Sequence, residues 1–144
     1  MCMFSGSVEH VSGTSIFARQ VGGRQVVVYQ MTVEVSSDVA MVLPLPVVAG
    51  SGEDAVEFVN LEGYSGLFDD LASGFPPIFA PLSRSSFGPA PKAIAATLVV
   101  RDVGAFEASF VPTVADFSRL DARFRLPAGV WDELPAYGDY GFAV

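Results

Sequence analysis

Residues 25–35 read Gln25-Val26-Val27-Val28-Tyr29-Gln30-Met31-Thr32-Val33-Glu34-Val35. β-Branched residues dominate this stretch and polar residues interrupt it in partial alternation, the pattern of a chain lying on a pleated surface. Residues 24–35 are therefore read as a strand, and the rest of the chain is organised around it. Immediately upstream, Val21-Gly22-Gly23 is a turn signal, because adjacent glycines reach the positive-φ conformations that tight hairpins require. Before that turn, residues 14–20 form another β-like run, and Ser12-Gly13 is predicted to join it, as a hairpin turn, to a first run over 3–11. Downstream, Ser36-Ser37-Asp38 breaks the pattern, and Val39-Ala40-Met41-Val42-Leu43-Pro44-Leu45-Pro46-Val47-Val48 resumes it. That continuous apolar run predicts a strand buried on both faces. Pro44 and Pro46 have no N–H to donate, so its second half is placed at a sheet edge or outside the sheet.

Helical signals follow. Ser51 can cap a helix reaching Asn60, with Glu53 and Asp54 in its first turn and Ala55, Phe58 and Val59 on one face. Ser65 can cap a second helix through Ser73, with Leu67, Phe68 and Leu71 inward and Gly74 as its stop. Residues 75–91 hold five prolines and read as a polyproline-like connector, in preference to a lid or a partner-contact segment. Residues 93–101 and 105–112 are predicted to be two strands of a hairpin around Asp102-Val103-Gly104. Thr113 then caps a short helix carrying Phe117 and Leu120, and Pro127 starts another bearing Val130, Trp131 and Leu134. The stretch 137–144 turns β-like again. This order predicts an α+β fold, a mostly antiparallel sheet with several short helices, in a single domain over 1–144. The apolar close, Gly141-Phe142-Ala143-Val144, suggests the N-terminal fragment of a longer product.

Composition narrows the function classes. The 144 residues are 51% apolar and only 17% charged, with mean hydropathy +0.44, which excludes a disordered tail and calls for a packed core or a face meant for a partner. A net charge of −8 argues against sequence-independent binding of nucleic acid or anionic lipid. No Lys or Arg occurs from Gln25 to Ser83, where eight acidic residues fall, and that segment reads as an acidic solvated surface. With one cysteine and one histidine, the chain has no disulfide framework and no Cys-based zinc site, and no cofactor is expected. No apolar run approaches the roughly 20 residues of a membrane span. The N-terminus lacks the charged and apolar regions of a secretory signal, so a cytoplasmic location is expected.

The residue with the most chemistry is Cys2, the sole cysteine, directly after Met1. Aminopeptidases remove an initiator Met that precedes a small side chain, which would leave Cys2 with a free α-amino group. A thiol and an amine on one residue form a nucleophile carrying its own base, and both groups reach the reactive form near neutrality. His10 lies eight residues away, roughly 26 Å along an extended strand, so it serves as a base only if the chain folds back. A soft-metal site from Cys2, Met3 and His10 is a weaker reading of the same residues. The adjacent carboxylates Glu53-Asp54, Asp69-Asp70 and Asp132-Glu133 point about 100° apart on a helix and read as solvated faces. The twelve phenylalanines are core material, without the interleaved basic residues of a single-strand nucleic-acid platform.

Cys2, the Gly13-Thr14 turn and Ile16-Phe17-Ala18-Arg19-Gln20 together resemble the opening of N-terminal-nucleophile amidohydrolases of the choloylglycine hydrolase type. The resemblance implies Cys2 as nucleophile, Arg19 beside its thiolate, and a small amide substrate. Gln20 stands where that family has Asn, and Val21-Gly22-Gly23 departs from the family's following Asp. A second resemblance spans more of the chain. Cys2-x-Phe4, Ile16-Phe17-Ala18-Arg19, Val26-Val27-Val28-Tyr29 and the run from Ala40 through Pro44 and Pro46 to Val47 are similar to an uncharacterised bacterial family of unknown function, which implies a longer parent protein and no particular activity.

Two functions of different classes follow. The preferred one is a non-catalytic binding or assembly module that meets a protein partner or another copy of itself. The alternative is an amide-cleaving enzyme or self-processing precursor with Cys2 attacking and Arg19 assisting.

Overall fold

The 25–35 stretch becomes the second arm of a long hairpin in the structure, a computed structural model that describes residues 2–75, 100–103, 106–127 and 129–144. Its strands are β1 (Met3–Phe4), β2 (His10–Val21), β3 (Arg24–Glu34), β4 (Met41–Leu45), β5 (Val100–Val103), β6 (Phe106–Val111) and β7 (Gly141–Ala143). Among the described residues two α-helices, α1 (Leu67–Ser73) and α2 (Val130–Glu133), are accompanied by several short 3-10 turns. All ladders are antiparallel, in one five-stranded sheet ordered β1-β4-β7-β6-β5 and one two-stranded sheet, β2-β3. This is the expected α+β class with sheet predominating. Among the described residues no helix is long and apolar enough to cross a membrane.

The described residues fall into two compact units. One contains 2–7, 37–63 and everything described from residue 100 onward; the other contains 8–36 and 64–75. In the first, the Pro-containing strand takes an unusual place. β1 flanks β4 only at Met41 and Val42, whereas β7 flanks it at Leu43, Pro44 and Leu45. Among the described residues Pro44 therefore sits where β4 has a neighbour on one side, which is where a residue without an N–H is tolerated. Burial on both faces is not realised: Val42 is fully buried, but Met41, Leu43, Pro44 and Leu45 are half-buried.

The core of this unit gathers Val42, Val111, Phe117, Leu120 and Phe142. Phe117, Trp131 and Phe142 form an aromatic triad with centroids 4.8–5.1 Å apart at tilted or edge-on angles, the geometry that the ring quadrupole favours. β7 can reach it because Gly141 has no side chain; a Cβ there would run into the Phe110 ring.

In the second unit, Val21 pairs with Arg24 across Gly22 and Gly23, at φ 56° and 79°. Two consecutive positive-φ residues form the turn that matches strand twist, so the Gly-Gly signal is read correctly. Ser12-Gly13, expected as a hairpin turn, instead lies inside β2. Gly13 and Thr14 together oppose Met31, and Gly13 has φ 59°, which makes a bulge.

The helices are shorter than expected. Ser51 does not cap a helix to Asn60: its hydroxyl donates to the Val48 carbonyl, a 3-10 turn covers only Glu53–Ala55, and Val56 is extended. α1 ends as expected, at Gly74, whose N–H donates to the Leu71 carbonyl at 3.1 Å, but Ser65 does not cap it: Gly66 is the N-cap and no side chain bonds there. Thr113 donates its hydroxyl to Asp116 rather than capping backbone, and Val114–Arg119 is a 3-10 turn. Pro127 is not a helix start, because Gly129 at φ 93° reverses the chain ahead of α2. The predicted connector over 76–91 and the strand portion over 93–99 lie outside the described residues.

Candidate functional site

Cys2 is half-buried and directly precedes β1, whose Met3 pairs with the fully buried Val42. Two bonds fasten this segment: the Ser5 N–H donates to the Ala40 carbonyl, and the Ala40 N–H donates to the Ser5 hydroxyl, each at 2.9 Å. Arg19 is exposed on β2, opposite Val26. Cys2 and Arg19 belong to different units, so neither unit by itself assembles them into one site. His10 is also in the hairpin unit, exposed and opposite Glu34. Among the described residues no three Cys, His, Asp or Glu side chains gather into a metal site.

The adjacent carboxylates divide their work. Asp70 accepts from the Tyr64 hydroxyl, a bond that, with lesser help from desolvation and the Asp70 charge, holds the phenol above its ordinary range. Glu53 pairs with Arg119, which also reaches Asp116 at 3.4 Å. Arg123 meets Asp121 at 3.0 Å and Asp38 at 3.7 Å, and Arg125 donates to the carbonyls of Ser118 and Leu120. The acidic middle of the sequence is thus not wholly a solvated face: Glu53 and Asp38 pair with arginines from the C-terminal third. Arg119 and Arg123 thus link sequence-distant segments at the surface of the unit.

The two best-formed clefts among the described residues are small. One, of about 20 Å³, lies between Glu53, Asp54, Arg101 and Phe110; the other, of about 110 Å³, lies by Val47, Thr113 and Tyr140. Small-molecule sites typically run to ~300–1,000 Å³. Cys2 lines neither.

The hairpin offers a different kind of surface. Every residue from 18 to 27 is exposed, although Val21, Val26 and Val27 lie there, and Ile16 just before them is 60% exposed. Near its turn the ribbon is in water: Val26 and Val27, successive residues that face opposite sides, are both exposed, and Val28 is half-buried. No protein family, curated protein or solved structure matches this chain. The two resemblances to known families therefore remain expectations of the sequence, and the functional reading rests on this geometry. Sequence reasoning found β3 but missed its exposure. The available signal was the consecutive valines, which call for cover on two sides.

Proposed function

We propose that this chain is a non-catalytic binding or assembly module whose β2–β3 hairpin is the contact surface. The supporting observation is the run of exposed residues over 18–27 with three valines in it. Contiguous exposed apolar surface favours a partner, and a two-stranded ribbon gains stability from whatever packs on it. The small clefts favour a surface contact over a substrate pocket. In the alternative, Cys2 acts as the nucleophile of an amide-cleaving enzyme, and the placement of Arg19 in the other unit gives that reading less support.

The test is a photo-reactive amino acid at Val26 in cells that make the protein. Val48, equally apolar and more exposed but in the other unit, is the control. The module reading expects a discrete covalent adduct from position 26 and none from 48. Equal, diffuse labelling at both positions would overturn it.

A further inference from the structure

The two outer edges of the hairpin differ. β2 is interrupted by the Gly13–Thr14 bulge and carries Arg19 in its exposed half. β3 runs eleven residues without glycine, proline or bulge, and its only charges are its two ends, Arg24 and Glu34. Among the described residues β2 is its only ladder partner. Bulges and charges blunt an edge, whereas a long unbroken edge with an uncharged interior accepts another strand.

We propose that β3 pairs antiparallel with the β3 of a second copy of this chain, about a two-fold axis at Tyr29, with Arg24 of each copy opposite Glu34 of the other. This rests on the module reading above and names its partner. The strand's phase permits it. Val21 and Arg24 flank a two-residue turn, so the even-numbered residues of β3 direct their backbone groups toward β2, as the Glu9 N–H on the Glu34 carbonyl confirms at the far end. Gln25, Val27, Tyr29, Met31 and Val33 therefore present theirs to the outer edge. An antiparallel ladder centred on Tyr29 joins those residues to one another: Tyr29 to Tyr29, Val27 to Met31, and Gln25 to Val33.

Sliding the copies by two residues keeps the ladder but loses pairs at its ends. Only the Tyr29-centred register pairs all eleven residues, and only that register sets the two arginines against the two glutamates. Because Arg24 and Glu34 are the two ends of β3, the register of full overlap is also the one that matches the charges. The side chains agree. On one face Ile16 and Tyr29 of each copy, already cross-strand neighbours, line up in a single apolar row, and Val27 gains Met31 beside it. The charge distribution agrees as well. Two copies of a −8 chain repel, yet residues 10–33 contain Arg19 and Arg24 and no carboxylate, so the hairpin is where copies can approach.

The test is sedimentation equilibrium on the full chain and on Arg24→Glu and Glu34→Arg. Both residues are exposed, and unchanged circular dichroism checks that each variant folds. The wild type should dimerise, and each single reversal, which sets like charges opposite twice over, should weaken the dimer by roughly tenfold or more. An equimolar mixture of the two variants should regain wild-type affinity, because one copy then carries two glutamates and the other two arginines. A monomeric wild type, or a dimer indifferent to both reversals, overturns the proposal. A discrete Val26 adduct with a different protein would sink this inference and leave the module reading standing, whereas loss of that adduct sinks both.

Discussion

Replacing Phe142 by alanine removes a ring that has no exposed surface and stands between two others, 5.1 Å from Phe117 and 4.9 Å from Trp131. Truncating a buried Phe costs about 3–5 kcal/mol in lost transfer energy and residual cavity. Each aromatic contact adds roughly 0.5–1.5 kcal/mol beyond area, which puts Phe142→Ala near the top of that range, about 4–5 kcal/mol. Total stabilities are about 5–15 kcal/mol, so the variant should lose a large fraction of its stability. Its melting midpoint should fall by about 8–20 °C, at ~2–4 °C per kcal/mol for a chain of this size. Trp131 is the only tryptophan and belongs to the triad, so its fluorescence in a urea titration reads this core directly. Phe106→Ala is the control. That residue is 75% exposed, and its loss should stay within about 0.5 kcal/mol. A Phe142→Ala cost below about 1.5 kcal/mol, or equal costs at both positions, would refute the assignment of the triad as the centre of the core.

Three further outcomes are expected. Gly141→Ala drives a methyl into the Phe110 ring on a strand held from both sides and should cost about 1–3 kcal/mol in the same titration; a neutral result would mean that β7 does not lie against Phe110 as described. The Arg123 side chain and then its backbone N–H donate to Asp121 and hold that carboxyl below its ordinary range. A depressed carboxylate contributes stability above its unfolded pKa and loses it as pH falls through the folded one, so Arg123→Gln should raise the Asp121 titration point in carboxyl-carbon NMR and shrink the acid-side loss; an unmoved point would show that the contact is absent in solution. Cys2→Ala should leave the Val26 adduct unchanged, and in the wild type a small thiol electrophile at neutral pH should label Cys2 no faster than an unstructured cysteine peptide. Labelling ten or more times faster, on the order expected of an activated thiol, would restore the nucleophile reading.

The hairpin and α1 were legible because their signals are local. β-Branched periodicity with a Gly-Gly turn, and an apolar helix face closed by Gly74, act within a few residues. The misread elements turned on competition between local options. A positive-φ glycine at position 13 suits a turn and a bulge equally, and the pairing of β2 with β3 on both sides of it selects the bulge. Ser51 had the side chain of a cap, but its hydroxyl closes a turn back to Val48. The segment that follows Cys2 is fastened through Met3 and Ser5 to Val42 and Ala40, some forty residues away, and no spacing rule reaches that far. Val26-Val27-Val28 showed which side chains want cover. Whether packing supplies that cover is a property of the folded chain alone.

Gly13 has a consequence for how far association can go. A ribbon with two equally smooth margins would add copies on either side indefinitely and grow into an insoluble filament. Here one margin is kinked by a single left-handed residue and the other is straight. In the proposed two-fold join the straight margin is used up, and the kinked one is left as a poor template for a further copy. A left-handed glycine and a charged residue on the same margin act together against fibre growth.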